Sequence, residues 1–442
     1  MCAVNLCLFP PEATPRACEL AGTEEEGRAP GGQGARSDRL LPTHGHLPAL
    51  GLAHHNPRMP KPLVLHRVGA LAFALLWSAP LSAQTAKYFP PAGEWQRKTA
   101  AAVGMDSAKL KAAVDLALSR ASTWDFDRDQ ERTFGRPLGP VPKTRAGTNG
   151  IIVRHGYIVA EFGDTKTNDP VYSVAKSFLS TVAAIGVDRK LIKSVNDAVA
   201  SYLKDGGYDS PHNAKITWKN HLQQESEWEG VMWGKNANFL DSVEFGRGRM
   251  RPREIRDPGT YYEYNDARIN RFALSLARVF GRAVPEVLKT EIMDPIGASG
   301  AWRWIPYNNA VVEINGKQIG SVSGGTRWGG GLWINSEDLA RFGLLALNRG
   351  KWGNKQVVSD QWWTEALTPS TTANSPDYGY LWWLNTRKGS ANAPATSFQA
   401  RGNGSNTIYV DPENDIVFVW HWHTGGMDPV VKLILEAITD KK

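Results

Sequence analysis

The period of apolar and polar positions changes several times along this chain, and each change marks an element. Behind Asp106, the residues Leu110, Val114, Ala117 and Leu118 recur at helical spacing, so Asp106 reads as the cap of an amphipathic helix. Residues 150–154 and 157–162 are rich in β-branched and aromatic side chains and flank His155-Gly156, the pattern of a β-hairpin. Phe178, Leu179, Val182 and Ala183 then predict a buried helix running to about residue 187 and entered at Asp169-Pro170. Residues from about 195 to 310 read as mainly helical and irregular, with helices over 266–279 and 286–293, the second stopped by Pro295 and Gly297. A Gly-rich stretch over 323–333 leads to a helix opened by Ser336-Glu337-Asp338. Strands follow at 397–401, 406–410 and 415–422, and a helix over 428–438 closes the pattern. This order predicts an α+β fold: an antiparallel sheet flanked by helices, with an inserted mainly helical lobe at about 195–310.

Residues 1–58 show no such period. They are rich in Pro, Gly and charge, including Glu24-Glu25-Glu26, and would not bury a core. From Met59 a basic flank of Lys61, His66 and Arg67 leads to an apolar run over 68–77 and then to Ser78-Ala79-Pro80-Leu81-Ser82-Ala83. That run has the length of a signal-peptide core and is too short to span a bilayer. The expectation is translation from Met59, a signal peptide over 59–83, and an exported domain at 84–442, periplasmic or secreted, with no stable membrane span after cleavage. Residues 1–58 are then a disordered leader from a misassigned start. Cys2, Cys7 and Cys18 all lie in that leader, so the exported part has no thiol for a disulfide or a zinc-thiolate site. The net charge is +7, and removing 1–83 takes seven Lys/Arg and six Asp/Glu with it, leaving +6. Spread without a basic run, that charge speaks for solubility and against nucleic-acid binding.

The predicted buried helix carries the candidate chemistry. Its head reads Asp169-Pro170-Val171-Tyr172-Ser173-Val174-Ala175-Lys176. Three residues apart on a helix, Ser173 and Lys176 share a face at roughly 5–6 Å between Cβ atoms, so the amine reaches the hydroxyl. The positive helix end also favours an alkoxide at Ser173, which makes an activated nucleophile. The plain alternative is a helix-cap serine. Ser201-Tyr202-Leu203-Lys204 has the same spacing but runs into Asp205-Gly206-Gly207, a turn, with no long helix behind it.

Asp257-Pro258-Gly259-Thr260-Tyr261-Tyr262-Glu263-Tyr264-Asn265-Asp266 is the second segment of weight. The order of hairpin, Ser-x-x-Lys, Pro-Gly-x-x-x-x-Tyr and Gly-rich strand resembles the serine hydrolases of the class C β-lactamase and penicillin-binding superfamily. Family VIII carboxylesterases and 6-aminohexanoate-dimer hydrolases belong to the same group. The resemblance covers about 100–440 and includes Ile216-Thr217-Trp218-Lys219-Asn220-His221-Leu222 and Gly330-Gly331-Leu332-Trp333-Ile334-Asn335-Ser336-Glu337-Asp338-Leu339-Ala340. It implies a β-lactamase/transpeptidase-like fold with Ser173 as the acylated nucleophile, Lys176 as its activating amine and Tyr264 as the proton shuttle. A lone tyrosine would otherwise read as core.

Two departures from the family pattern matter. Tyr-x-Asn becomes Tyr264-Asn265-Asp266, which puts a carboxylate where β-lactamases hold the substrate's amide side chain. Asp266 either pairs with Lys176 or a substrate cation, or caps the following helix. Lys-Thr-Gly is absent as spelled, and Ala400-Arg401-Gly402 on the first terminal strand takes its place. The resemblance then implies an oxyanion hole from the amides of Ser173 and Asn403, two donors aimed at the tetrahedral intermediate. Arg401 either holds a substrate carboxylate or is a solvated strand residue.

His421-Trp422-His423 alternates as strand ligands do but lacks an acidic or histidine partner at a recognisable spacing, so no metal is expected. Glycines 329–331 lack the Lys-Ser/Thr ending of a phosphate loop and read as tight backbone packing. Trp228, Trp233, Trp328, Trp333, Trp382 and Trp383 are either core or the walls of an acyl pocket. The reading is an exported, cofactor-free serine hydrolase that cleaves a small ester or amide substrate through an acyl-enzyme. Its rivals are a β-lactamase or D-Ala-D-Ala peptidase, and a non-catalytic cell-wall ligand-binding protein on the same fold. An intact Ser173, Lys176 and Tyr264 speak against the last.

Overall fold

The computed structural model describes residues 87–238 and 254–440. The predicted leader and signal peptide over 1–83 lie outside the described residues. In chain order, the elements that build the site are α1 (Ser107–Ser119), β1 (Asn149–Arg154), β2 (Tyr157–Phe162), β3 (Asp169–Pro170), α2 (Ala175–Asp188) and α3 (Asp266–Phe280). After them come β4 (Arg303–Ile305), β5 (Gly331–Ile334), α4 (Ser336–Leu347), β6 (Trp383–Leu384), β7 (Phe398–Gly402), β8 (Asn406–Asp411), β9 (Ile416–His421) and α5 (Asp428–Glu436).

Six strands form an antiparallel sheet in the order β6-β7-β8-β9-β1-β2, so the early hairpin and the late strands meet in the middle. β1 pairs with β9 from Asn149 opposite His421 to Arg154 opposite Ile416. The hairpin turn works because His155 and Gly156 both take positive φ, which matches the strand twist. Every residue of β1, β8 and β9 is buried, which explains why β9 reads as a nearly continuous apolar run. On β9, Ile416, Phe418 and Trp420 face one core with α1 and α5, while Val417 and Val419 face another with α2 and α4. In that second core Phe178 of α2 stacks on Phe342 of α4 at 3.7 Å between ring centroids. The fold is thus the predicted antiparallel sheet between helical layers.

The entry to α2 differs from expectation. Asp169 and Pro170 do not cap the helix: they form β3, paired with Ile334 and Trp333 of β5. A 3₁₀ turn, Tyr172–Val174, follows, and the α-helix begins only at Ala175. Asp169 sends its carboxylate to other donors, Ala146 N at 3.0 Å and Trp422 Nε1 at 2.6 Å. A second tether holds the start of the described chain. The Arg341 guanidinium of α4 donates to the carbonyls of Pro90, Pro91, Glu94 and Ile296 at 2.8–3.1 Å. Among the described residues no helix is long and apolar enough to cross a membrane.

Candidate active site

Ser173 sits in the 3₁₀ turn ahead of α2, and the backbone leading to it is strained into place. Tyr172 takes φ +50°, a conformation that a bulky residue adopts only when its surroundings fix it. They do so here: its buried hydroxyl donates to Gln130 Oε1 at 2.7 Å, and Gln130 Nε2 donates to the carbonyl of Arg327 at 2.8 Å. The ring lies edge-on to Trp124 and Trp422. Ser173 is left half-buried, while Lys176, on the first turn of α2, is 1% exposed.

The Lys176 amine has three neighbours. Its Nζ lies 3.0 Å from Ser173 Oγ, 2.5 Å from Asp266 Oδ1 and 3.1 Å from the carbonyl of Gly324. The open choice at Asp266 is therefore resolved toward pairing with Lys176. The cap of α3 falls to Asn265, whose side chain accepts from Arg268 N. Arg327 approaches the other carboxylate oxygen, with Nη1 3.6 Å from Oδ2. Burial alone would raise the Asp266 carboxyl, but Lys176 and Arg327 hold it below its ordinary value.

Tyr264 precedes this cap, and its ring centroid is 4.7 Å from Lys176 Nζ. Trp383 of β6 stacks on Tyr264 at 5.9 Å, and the Arg401 guanidinium lies 5.6 Å from the centre of Trp383. The turn that carries Tyr264 is fastened from below. Arg268 Nη1 bonds Glu227 at 2.7 Å and Glu263 at 3.0 Å, and Asn265 N donates to Gln224 Oε1. β7 closes the other side. A side chain at Gly402 would put its Cβ 2.1 Å from the carbonyl of Val171 and 3.1 Å from Ser173 N, so only glycine admits this approach. Asn403 starts the 3₁₀ turn that follows, and Arg401 is exposed beside it with Nε donating to Gln399.

Ser173, Lys176, Tyr264 and Asp266 thus gather at one place, with Arg401 and Gly402 on the strand that closes over Ser173 and Asn403 in the turn after it. Trp228 and Trp333 make their bonds elsewhere. Trp228 is buried and donates to the carbonyl of Gly207, and Trp333 donates to Gly330 at the end of β5. The adjacent tryptophans at β6 divide, since Trp382, just before the strand, is fully buried against Phe342 whereas Trp383 reaches Tyr264. His423 stacks flat on Trp420 at 3.6 Å, and burial pushes both His421 and His423 down to about 3. Asn270 was not foreseen. It lies four residues after Asp266 on α3 and accepts from Gly324 N at 3.1 Å, which anchors the residue whose own carbonyl meets Lys176. The i, i+4 spacing from Asp266 was the one available sign of it.

An antiparallel sheet between helical layers, with Ser-x-x-Lys at the head of the buried helix, defines the β-lactamase/transpeptidase fold. The beta-lactamase family model matches residues 146–440, well over half of the chain, so the chain belongs to that family and is in general terms a serine hydrolase. Among solved structures it is similar to a penicillin-binding protein homologue from Caulobacter crescentus, at 16% identity and a TM-score of 0.51. That match covers 75% of this chain and 97% of the other. EstCE1, described as a hydrolase with promiscuous acyltransferase activity, matches at 14% identity and a TM-score of 0.51, over 75% of this chain and 99% of its own. No curated protein matches the chain.

Proposed function

We propose that this chain is an exported serine hydrolase that cleaves a small ester or amide through an acyl-enzyme intermediate. Ser173 Oγ attacks the carbonyl carbon, and Lys176 and Tyr264 carry the proton from Ser173 to the leaving group. Water then releases the acyl group by the same route in reverse. The amides of Ser173 and Asn403 would receive the oxyanion, and Arg401 would meet the outer part of the substrate. The observation that carries the reading is the Lys176 amine 3.0 Å from Ser173 Oγ inside a buried, charge-paired cluster. A binding protein has no use for a buried lysine aimed at a half-exposed serine. Export rests on the pattern at 59–83 alone. The ester or amide is preferred to a β-lactam because a carboxylate, Asp266, stands where β-lactamases hold the substrate's amide.

The test is p-nitrophenyl butyrate hydrolysis by the wild type beside Ser173→Ala. The variant is expected to lose at least about a thousandfold in kcat/KM and fall to background. Equal activity in the two proteins would refute Ser173 as the nucleophile.

A further inference from the structure

Tyr172 carries a hydroxyl that its packing does not need. The ring is already boxed by aromatic neighbours, with Trp124 at 6.1 Å, Phe134 at 6.0 Å and Trp422 at 6.3 Å between centroids. A phenylalanine would fill the same space. The hydroxyl instead makes a connection. It donates to Gln130 Oε1 at 2.7 Å, and Gln130 Nε2 donates onward to the carbonyls of Thr326 at 3.2 Å and Arg327 at 2.8 Å. Tyr172 and Gln130 are each 2% exposed, so these bonds lie in the dry interior, where an unpaired partner is costly.

The connection joins three segments that lie far apart in sequence. Gln130 ends the turn Phe126–Gln130, which is seated by Phe126 lying edge-on to Trp422 at 5.7 Å. Tyr172 is the residue before Ser173, and its φ of +50° is a conformation that only surrounding contacts can hold. Thr326 and Arg327 belong to the Gly-rich loop ahead of β5. That same loop lies against the nucleophile, since a Cβ at Gly325 would sit 3.5 Å from Ser173 Oγ and 3.6 Å from Ser173 N. The two peptides that follow Gly325 are both tied down: Ser323 Oγ donates to the Gly325 carbonyl, and Gln130 to that of Thr326. Gly402 approaches the same Ser173 amide from β7.

We propose that the Tyr172 hydroxyl and Gln130 form a clasp, two positioning residues that hold Ser173 in register with the Gly325 wall of the cleft. This rests on the acyl-enzyme reading above and adds to it the device that aims the nucleophile. Neither side chain touches the substrate or exchanges a proton with it. Without the clasp, the backbone at Tyr172 relaxes and the loop shifts, so the approach of Ser173 Oγ to the carbonyl carbon is spoiled and attack slows. The clasp lies behind the cleft, so substrate binding is left nearly as it was and the defect falls on the chemical step.

The experiment compares full-length wild type, Tyr172→Phe, Gln130→Met and the double variant by single-turnover release of p-nitrophenol from p-nitrophenyl butyrate. That measurement separates the substrate's Kd from the acylation rate constant. Rates are expressed per site that a fluorophosphonate labels at completion, so unfolded protein does not count. Each single variant is expected to acylate about 30-fold more slowly, with Kd changed by less than about 2-fold. The double variant should be no slower than the worse single one, because one clasp can be broken only once. Wild-type acylation in either single variant, losses that multiply in the double variant, or a loss carried by Kd would overturn the proposal. A lower unfolding midpoint with an unchanged acylation rate would do so too, since the clasp would then serve stability alone. Should Gln130→Met fail to fold, Tyr172→Phe decides: slower acylation at an unmoved Kd supports the clasp, and the wild-type rate refutes it. Wild type that neither labels at Ser173 nor turns over would instead sink the acyl-enzyme reading, a distinct failure.

Discussion

Asp169 offers a test of the packing that delivers Ser173. Burial pushes its carboxyl up to about 6, against the downward pull of the bonds from Trp422 and Ala146 and of the Arg145 charge. Its folded value therefore lies above its ordinary 3.8, and the folded state holds the proton more tightly. The stability this group contributes is fully present below about pH 3.8 and is lost as the pH rises through about 6. Moving a pKa from 3.8 to about 6 amounts to about 3 kcal/mol, of which about 2 kcal/mol falls between about pH 4.5 and pH 8. Both native bonds end on the same oxygen, Oδ2, so the single carbonyl of asparagine can accept both. Asp169→Asn should keep the geometry and remove the titration. Urea unfolding of both proteins across that range should show the variant gaining about 2 kcal/mol on the wild type as the pH rises. A difference that stays constant with pH would refute the argument, because the carboxylate would then cost nothing to bury.

Other expectations follow from the same structure. Gly402→Ala should drop kcat by about 100-fold with a smaller change in KM, because its Cβ would drive β7 away from Ser173; steady-state kinetics with p-nitrophenyl butyrate check this. His421 is pushed down from its ordinary 6.5 to about 3, so its contribution is present above 6.5 and is lost as the pH falls from 6.5 toward about 3. Neither of its ring nitrogens has a partner among the described residues. His421→Met should therefore gain about 2 kcal/mol on the wild type between about pH 7 and pH 5, read by urea unfolding. Arg341→Lys cannot span four carbonyls; a loss of about 2–4 kcal/mol should loosen the segment before residue 95 and speed tryptic cleavage there.

The strands and long helices were legible because their patterning is dense. The strand expected at 406–410 appears as Asn406–Asp411, and the helix expected at 266–279 as Asp266–Phe280. The entry to α2 misled because Asp-Pro is a good helix start in isolation, yet here it pairs with β5. Tertiary pairing overrode local preference. Asp266 could be narrowed to two roles but not decided, since a cap and an ion-pair partner look alike until Lys176 is placed beside it. Asn270 stayed hidden for a different reason: it acts through Gly324, a partner far away in sequence. The tryptophans at 228 and 333 were read by residue type, and type does not say which face a ring turns to.

The meeting of early and late strands in one sheet also sets a timetable. Ser173 and its lysine are made long before the glycine that closes over them, and β1 waits for β9 to become its neighbour. A growing chain therefore carries its reactive serine in an unfinished cleft until the last strands have been synthesised. Contacts so distant in sequence form slowly. Acylation of Ser173 would accordingly appear at the end of assembly, as a chemical report that the sheet has closed.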